Sequence, residues 1–216
     1  MGGTASGPGL AGAGGLMAQV LKPEVRAGIE AAALRSFADR GYDGTSIAQI
    51  AADAGTAPGN VYRYFASKHA LFDAVVPAEL PARHDRLLDA RIEALARGSA
   101  GDPSAAADLL DFWLDHRLAV VVLLDRAEGT PHADRPAAFV RRLVAHAERS
   151  LGVPLGPVHR ELLEVVFDNT RRALARFLRS SADRDHVRAL VTGFWSYQVP
   201  GLDALLAAVR AETAGS

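Results

Sequence analysis

Four residues near the start of the chain carry side chains or backbone suited to contacting a DNA duplex. Thr56, Gly59, Asn60 and Arg63 fall on one side of the stretch TAPGNVYRYF, while Val61 and Phe65, four apart, fall on the other. Asn pairs with the major-groove edge of adenine and Arg with that of guanine, through paired hydrogen bonds in each case. Between Asp53 and Asp73 there is no acidic residue, whereas Arg63, Lys68 and His69 lie inside that window. A local acid-free surface suits phosphate contact, although the chain as a whole has a formal net charge of -1 and lacks the basic excess common in nucleic-acid binders.

Such a surface needs helices behind it. KPEVRAGIEAAALRSFADRGYDG reads as a helix with Pro23 at its first position, apolar residues at Val25, Ile29, Ala33 and Phe37, and Gly41 at its end. Ser46 and Gln49 form a capping-box pair that opens a second, short helix, with Ile47, Ile50, Ala51 and Ala54 inward. Gly55 supplies the left-handed corner and Pro58 opens a third helix. Two short helices across a tight corner are a helix-turn-helix, here residues 46–65, whose second helix must be short to lie in the major groove.

AALRSFADRGYDGTSIAQIAADAG followed by APGNVYRYFASKHALFDAV resembles the tetracycline-repressor (TetR) family of transcriptional regulators from about Arg26 to Val75. The resemblance implies that Thr45 and Ser46 meet phosphates at the start of the second helix. It implies that Thr56, Ala57, Pro58, Gly59 and Asn60 present the reading edge, that Tyr62 and Tyr64 meet the sugar-phosphate backbone, and that Lys68 clamps a further phosphate. Family members often carry a hydroxyl residue and a lysine where Ala57 and Pro58 stand, so base readout leans on Asn60 and Arg63.

The remainder reads as further helices. Lys68 begins one that Pro77 interrupts, and with Pro81 the segment is either one kinked helix or two. Ser104 to Ala127 reads as a single helix whose LAVVVLLD half is apolar on all sides and therefore buried. Residues 135–152 form an amphipathic helix. Leu163, Val166, Phe167, Thr170, Leu174 and Phe177 share one face of the next, and Val187, Leu190, Val191, Phe194 and Trp195 one face of a later helix that Pro200 and Gly201 break. No alternating strand pattern occurs. The expected fold is all-α: a Gly-rich disordered tail over 1–20, a DNA-binding domain over 21–76, and a larger helical domain over 77–216 that binds an effector and dimerises.

The two adjacent stripes are candidates for pairing with their copies, a homodimer being what a palindromic operator on double-stranded DNA requires. Their named members are Leu163, Val166, Phe167, Leu174, Phe177, Leu190, Val191, Phe194 and Trp195; the alternative is that they close the monomer core. For an effector of unknown chemistry the candidates are Trp113, His116, Arg117, Asp168 and Asn169, the competing reading being an internal pair such as Arg117 with Asp168. The expected mechanism is a ligand-responsive repressor with residues 68–81 as its moving element.

Other classes find less support. The 216 residues contain no cysteine, which excludes disulfides and thiolate sites. There is no G-x-S-x-G, H-E-x-x-H or phosphate loop, so no enzyme is expected. GPGLAG (7–12) fits a dinucleotide fingerprint only in spacing, since no strand precedes it, and His132-Ala-Asp134 lacks the partners of a metal site. Neither a metal nor a cofactor is expected. A helix-turn-helix protein without ligand control is the nearest alternative. No apolar run is long enough for a membrane span and the first residues lack a signal-peptide pattern, which leads to the expectation of a cytoplasmic protein.

Overall fold

The computed structural model describes residues 22–96, 103–152 and 155–214. The expected tail over 1–20 and the GPGLAG segment lie outside them. The described residues form ten helices and no strand: α1 (Pro23–Arg40), α2 (Ile47–Asp53), α3 (Pro58–Tyr64), α4 (Lys68–Val75), α5 (Glu79–Ala96), α6 (Pro103–Asp115), α7 (Arg117–Asp125), α8 (Arg135–Leu151), α9 (Pro157–Ser180) and α10 (Arg184–Ala214). None is long and apolar enough to cross a membrane.

Helices α1 to α4 pack around Ile29, Ala33 and Phe37 from α1, Ile50 from α2, Val61 from α3 and Phe72 from α4, all fully buried. Phe37, Tyr42 and Phe72 meet as a three-ring group, centroids 5.4–5.6 Å apart. Ser36, Arg40 and Asp53 tie α1 to α2: Arg40 donates to Ser36 Oγ and to Asp53, and Ser36 donates to Asp53.

The larger part is built around α7. Residues 119–124 are each at most 2 % exposed, because α9, α8, α6 and α1 cover α7 from different sides. Arg171, 6 % exposed on α9, reaches the α7 terminus: it donates to Leu124 O and pairs with Asp125 at 3.0 Å and with Asp168 at 2.6 Å. A second apolar cluster joins Val144, Leu151, Leu163 and Phe167 to Val209 near the end of α10.

One open sequence reading is resolved and two expectations change. The segment around Pro77 and Pro81 is two helices, because α4 ends at Val75 and Pro81 falls in the first turn of α5, where a proline lacks no needed hydrogen bond. The single helix expected over 104–127 is broken at His116 (φ -116°, ψ 28°), whose ring lies 4.9 Å from that of Phe112. Pro200 does not break α10, whose 31 residues run from Arg184 to Ala214. A proline inside a helix costs about 3 kcal/mol. Packing holds both sides: Val191 and Trp195 before it join the main core, and Leu202, Leu205 and Val209 after it join the second cluster.

The small and large parts abut directly. α1 packs on α7, and the His132 ring lies 6.1 Å from that of Phe72. Gly129 (φ +74°) sits so close to the Asp43 carboxylate that any β-carbon there would collide with it.

Candidate nucleic-acid interface

The capping box that opens α2 forms as its residue types require. Gln49 N–H donates to Ser46 Oγ at 3.2 Å, and Ser46 N–H donates to Gln49 Oε1 at 2.9 Å. α2 ends in a Schellman-type corner, with Thr56 N–H donating to Ala51 O, Gly55 N–H to Ala52 O, and Gly55 at φ +65°. Pro58 follows as the first residue of α3. With Val61 fully buried and Phe65 nearly so, α3 is held by one side only.

Its other side faces solvent. Ala57, Pro58 and Gly59 are exposed, as are Tyr62 (56 %) and Arg63. Asn60 is half-buried and donates from Nδ2 to Thr56 Oγ1 at 2.7 Å, which fixes the orientation of its amide and turns its carbonyl oxygen away from that bond. Ala57, Pro58, Gly59, Tyr62 and Arg63 are thus exposed along α3 and its start, Thr56 and Asn60 are half-buried beside them, and Ser46 is exposed at the start of α2.

Three residues expected to touch the duplex are engaged elsewhere. Thr45 is 2 % exposed, and its hydroxyl points into the fold toward Gly41 O at 2.7 Å and Ser36 O at 3.1 Å. In this structure it is a buried pin between α1 and the turn that follows it. Lys68 donates to Tyr42 O at 2.9 Å and Thr45 O at 3.1 Å, and its Nζ stands 4.0 Å from the centre of the Tyr42 ring. Two of the three ammonium donors are thereby committed to the α1–α2 loop. The Tyr64 hydroxyl accepts from Lys22 N–H at 3.0 Å and anchors the start of α1. In each case the partner is a backbone group of α1, of the turn after it or of the chain entering it, so these side chains brace the first helix and its turn.

The family model described as bacterial regulatory proteins, tetR family, matches residues 29–75, which span this surface and its support. The match covers 47 of the 216 residues. No curated protein matches it. Solved structures similar to it include the fatty acid degradation regulator FadR from Bacillus halodurans (15 % identity, 85 % of this chain, 98 % of that one, TM-score 0.43). They also include NalD, the secondary repressor of the MexAB-OprM multidrug efflux pump in Pseudomonas aeruginosa (23 %, 80 % and 94 %, 0.36). A putative TetR-family transcriptional regulator from Rhodococcus sp. is a third (21 %, 86 % and 100 %, 0.38).

Beyond α1 to α4, the larger part holds an apolar cavity of about 90 Å³ bounded by α5, α6, α8, α9 and α10. Of the residues expected to meet an effector, only Trp113 lines it. His116 packs on Phe112, and Arg117 donates to Leu178 O at 3.0 Å. Asp168 pairs with Arg171 and Arg172, so the Arg117–Asp168 pair is not formed, and with Asn169 it faces an outer groove bounded by α8 and α9. Sequence reasoning missed Arg91 and Gln198 as lining residues, and assigned Trp195 and Phe167 to a different surface. The spacing of Leu88, Arg91, Ile92 and Leu95 along α5 places all four on one face, a signal legible only once that face is known to enclose a cavity.

The proposed dimer stripes divide. Leu163, Phe167, Leu174 and Val191 are at most 4 % exposed and belong to the core of the chain itself, because α9 turns that stripe toward α7 and α8. Val166, Phe177, Leu190, Phe194 and Trp195 are half-buried; Phe177 and Phe194 meet edge-on at 5.6 Å, and Trp195 turns into the cavity. The large apolar side chains left outside are instead Val158, Leu162 and Val165 on α9 and Tyr197 on α10, 42–78 % exposed.

One polar cluster ties the cavity wall to the connection after α4. His84 on α5 is 3 % exposed, its ring stacked on Trp113 at 6.3 Å, and its Nε2 has no hydrogen-bond partner among the described residues. Burial pushes its pKa below the usual imidazole value. Next to it, burial pushes the Asp85 carboxyl up, but hydrogen bonds from His84 and Arg135 and the charges of Arg135 and Arg142 outweigh it and hold the group at about 2. Arg135 also donates to Pro81 O at 3.2 Å, so α8 grips the first turn of α5.

Proposed function

We propose that the protein is a homodimeric, ligand-responsive transcriptional repressor whose α3 reads the major groove of a palindromic operator. The observation that carries the reading is the one-sided burial of α3. Val61 anchors it, while Ala57, Pro58, Gly59, Tyr62 and Arg63 stand exposed in a stretch, residues 54–72, that contains no acidic residue. Base readout rests on Asn60 and Arg63, and backbone contact on Ser46 and Tyr62. In this reading the reader spans residues 21–76, residues 77–216 sense the effector and dimerise, and the protein works in the cytoplasm.

The outer faces of α9 and α10 support dimerisation. Val158, Leu162, Val165 and Tyr197 are large, apolar and exposed on neighbouring helices, and four helices from two subunits can bury them as a symmetric bundle. The two α3 helices then lie about 34 Å apart, one turn of duplex. A ligand that favours another spacing weakens operator binding by linkage, typically by about 1–3 kcal/mol. The break between α4 and Pro81, gripped by Arg135, is the moving element in this reading.

Selection from a random duplex pool tests the proposal. A two-fold symmetric consensus is the expected result, and recovery of a sequence without symmetry, or of none, refutes it.

A further inference from the structure

Trp113 is the largest fully buried side chain among the described residues, 1 % exposed, and it lines the apolar cavity between α5, α6, α8, α9 and α10. Its neighbours include two rings: His84 stacks on it with centroids 6.3 Å apart, and Trp195 lies tilted against it at 5.8 Å. Such contacts serve the faces of the indole and leave its edge unserved. Nε1–H has no hydrogen-bond partner among the described residues. An indole has one donor and no acceptor, and a buried donor left unpaired carries its full desolvation cost.

The other polar lining groups have partners inside the chain. Thr170 donates to Val166 O at 2.8 Å and accepts from Gln198. Arg91 is engaged within the chain as well, its guanidinium 5.7 Å from the centre of the Trp195 ring. The remaining walls are leucine, isoleucine, valine and phenylalanine side chains. An adjoining cavity of about 310 Å³ shares Ile92, Leu95, Leu143, Phe167, Val199 and Leu202 with the first, and its far end carries the exposed Asp203 and Arg210. Together the two fall within the size range of small-molecule sites, which are mostly apolar with a few placed polar groups.

Taking the proposed effector site as given, we infer that its ligand is an apolar molecule whose buried end carries a hydrogen-bond acceptor, a carbonyl or ether oxygen, bound by Trp113 Nε1–H. The apolar body lies along the shared wall of the two cavities, with its other end toward Asp203 and Arg210. A hydrocarbon of the same shape keeps the apolar contacts and leaves the indole donor unpaired.

The chain has two tryptophans, and both line this cavity, so their emission reports its occupancy. The test uses the full-length protein with octan-2-one and 2-methyloct-1-ene, which share chain and shape and differ in a carbonyl oxygen against a methylene. The alkene is the more hydrophobic, so the quantity read is the ratio of the two dissociation constants. Trp113→Phe keeps a ring and removes the donor, while Trp195 still reports binding. The variant is expected to shift the ratio toward the alkene about five-fold, as one hydrogen bond implies. A shift under about two-fold, or no saturable emission change with either compound in the parent protein, overturns the inference. If far-ultraviolet dichroism shows that the variant does not fold, the carbonyl stretch of isotope-labelled octan-2-one bound to the parent decides. A frequency below that in hexane supports the indole bond, and the hexane frequency overturns it. Operator affinity measured alongside separates the two claims. Octan-2-one that binds as expected without weakening operator binding leaves the ligand class standing and removes the effector role. Intact operator binding with neither compound bound removes the ligand class alone.

Discussion

Thr45→Val separates two roles for a residue at the edge of the reader. Valine keeps the shape and removes the hydroxyl, which in the structure points to Gly41 O and Ser36 O from a position 2 % exposed. Losing one buried hydrogen bond and leaving an acceptor short of a partner costs about 1–2 kcal/mol. For a chain of this length that lowers the thermal midpoint by about 2–8 °C. Phosphate contacts leave a different mark: each one lost reduces the slope of log K against log salt by about 0.9. Thermal unfolding followed by dichroism, and operator titrations across a salt series well below the midpoint, read the two quantities independently. The expected result is a lower midpoint with an unchanged slope. An unchanged midpoint with a slope reduced by about one phosphate would refute the reasoning and return Thr45 to the duplex.

Tyr62→Phe is expected to weaken binding to all duplexes alike by several-fold, whereas Tyr64→Phe, which removes the acceptor of the Lys22 bond, should alter operator affinity little; equal losses in competition titrations would contradict the assignment. Arg171→Met leaves Leu124 O and two aspartates without their shared cation and should cost about 2–4 kcal/mol in urea unfolding, discounted because Asp125 and Asp168 are partly exposed; a loss below about 0.5 kcal/mol would remove Arg171 from its structural role. Val165→Asp should turn the dimer into a monomer by sedimentation and weaken operator binding in parallel, and an unchanged dimer would displace the interface from α9. Burial holds His84, His132 and His146 below the usual imidazole pKa, so the unfolded chain protonates first and their contribution, intact above pH about 6.5, is lost as pH falls below it. Unfolding midpoints measured from about pH 7.5 to about 5.5 should therefore decline, less steeply in His84→Gln, and Asp85, held at about 2, should not contribute in that window.

The reader was legible because its signals are local. The Ser46–Gln49 pair, the Gly55 corner and Pro58 each act within a few residues, and all three form as their types require. What the sequence concealed depends on distant partners. Nothing near Thr45 announces that its hydroxyl turns inward, since the decision belongs to carbonyls contributed by α1 and the loop after it. Pro200 reads as a stop because the local cost is real, and it is overridden by apolar packing on both sides. Periodicity found the stripe on α9 but could not say whether it meets this chain or another; α7, buried on every side, claims it. Arg171 drew no notice because a lone arginine on a helix is ordinarily solvated.

α10 borders the cavity with Trp195, Val199 and Leu202, and carries Tyr197 on the outside, where a second subunit would rest. One continuous helix would therefore separate a guest from the neighbour, and its proline lies between Val199 and Leu202, where the stretch that joins the second cluster begins. If the proposed dimer forms across α10, a molecule wedged beneath it bows the one spar that the twin rests on, and so shifts the gap between the two α3 helices.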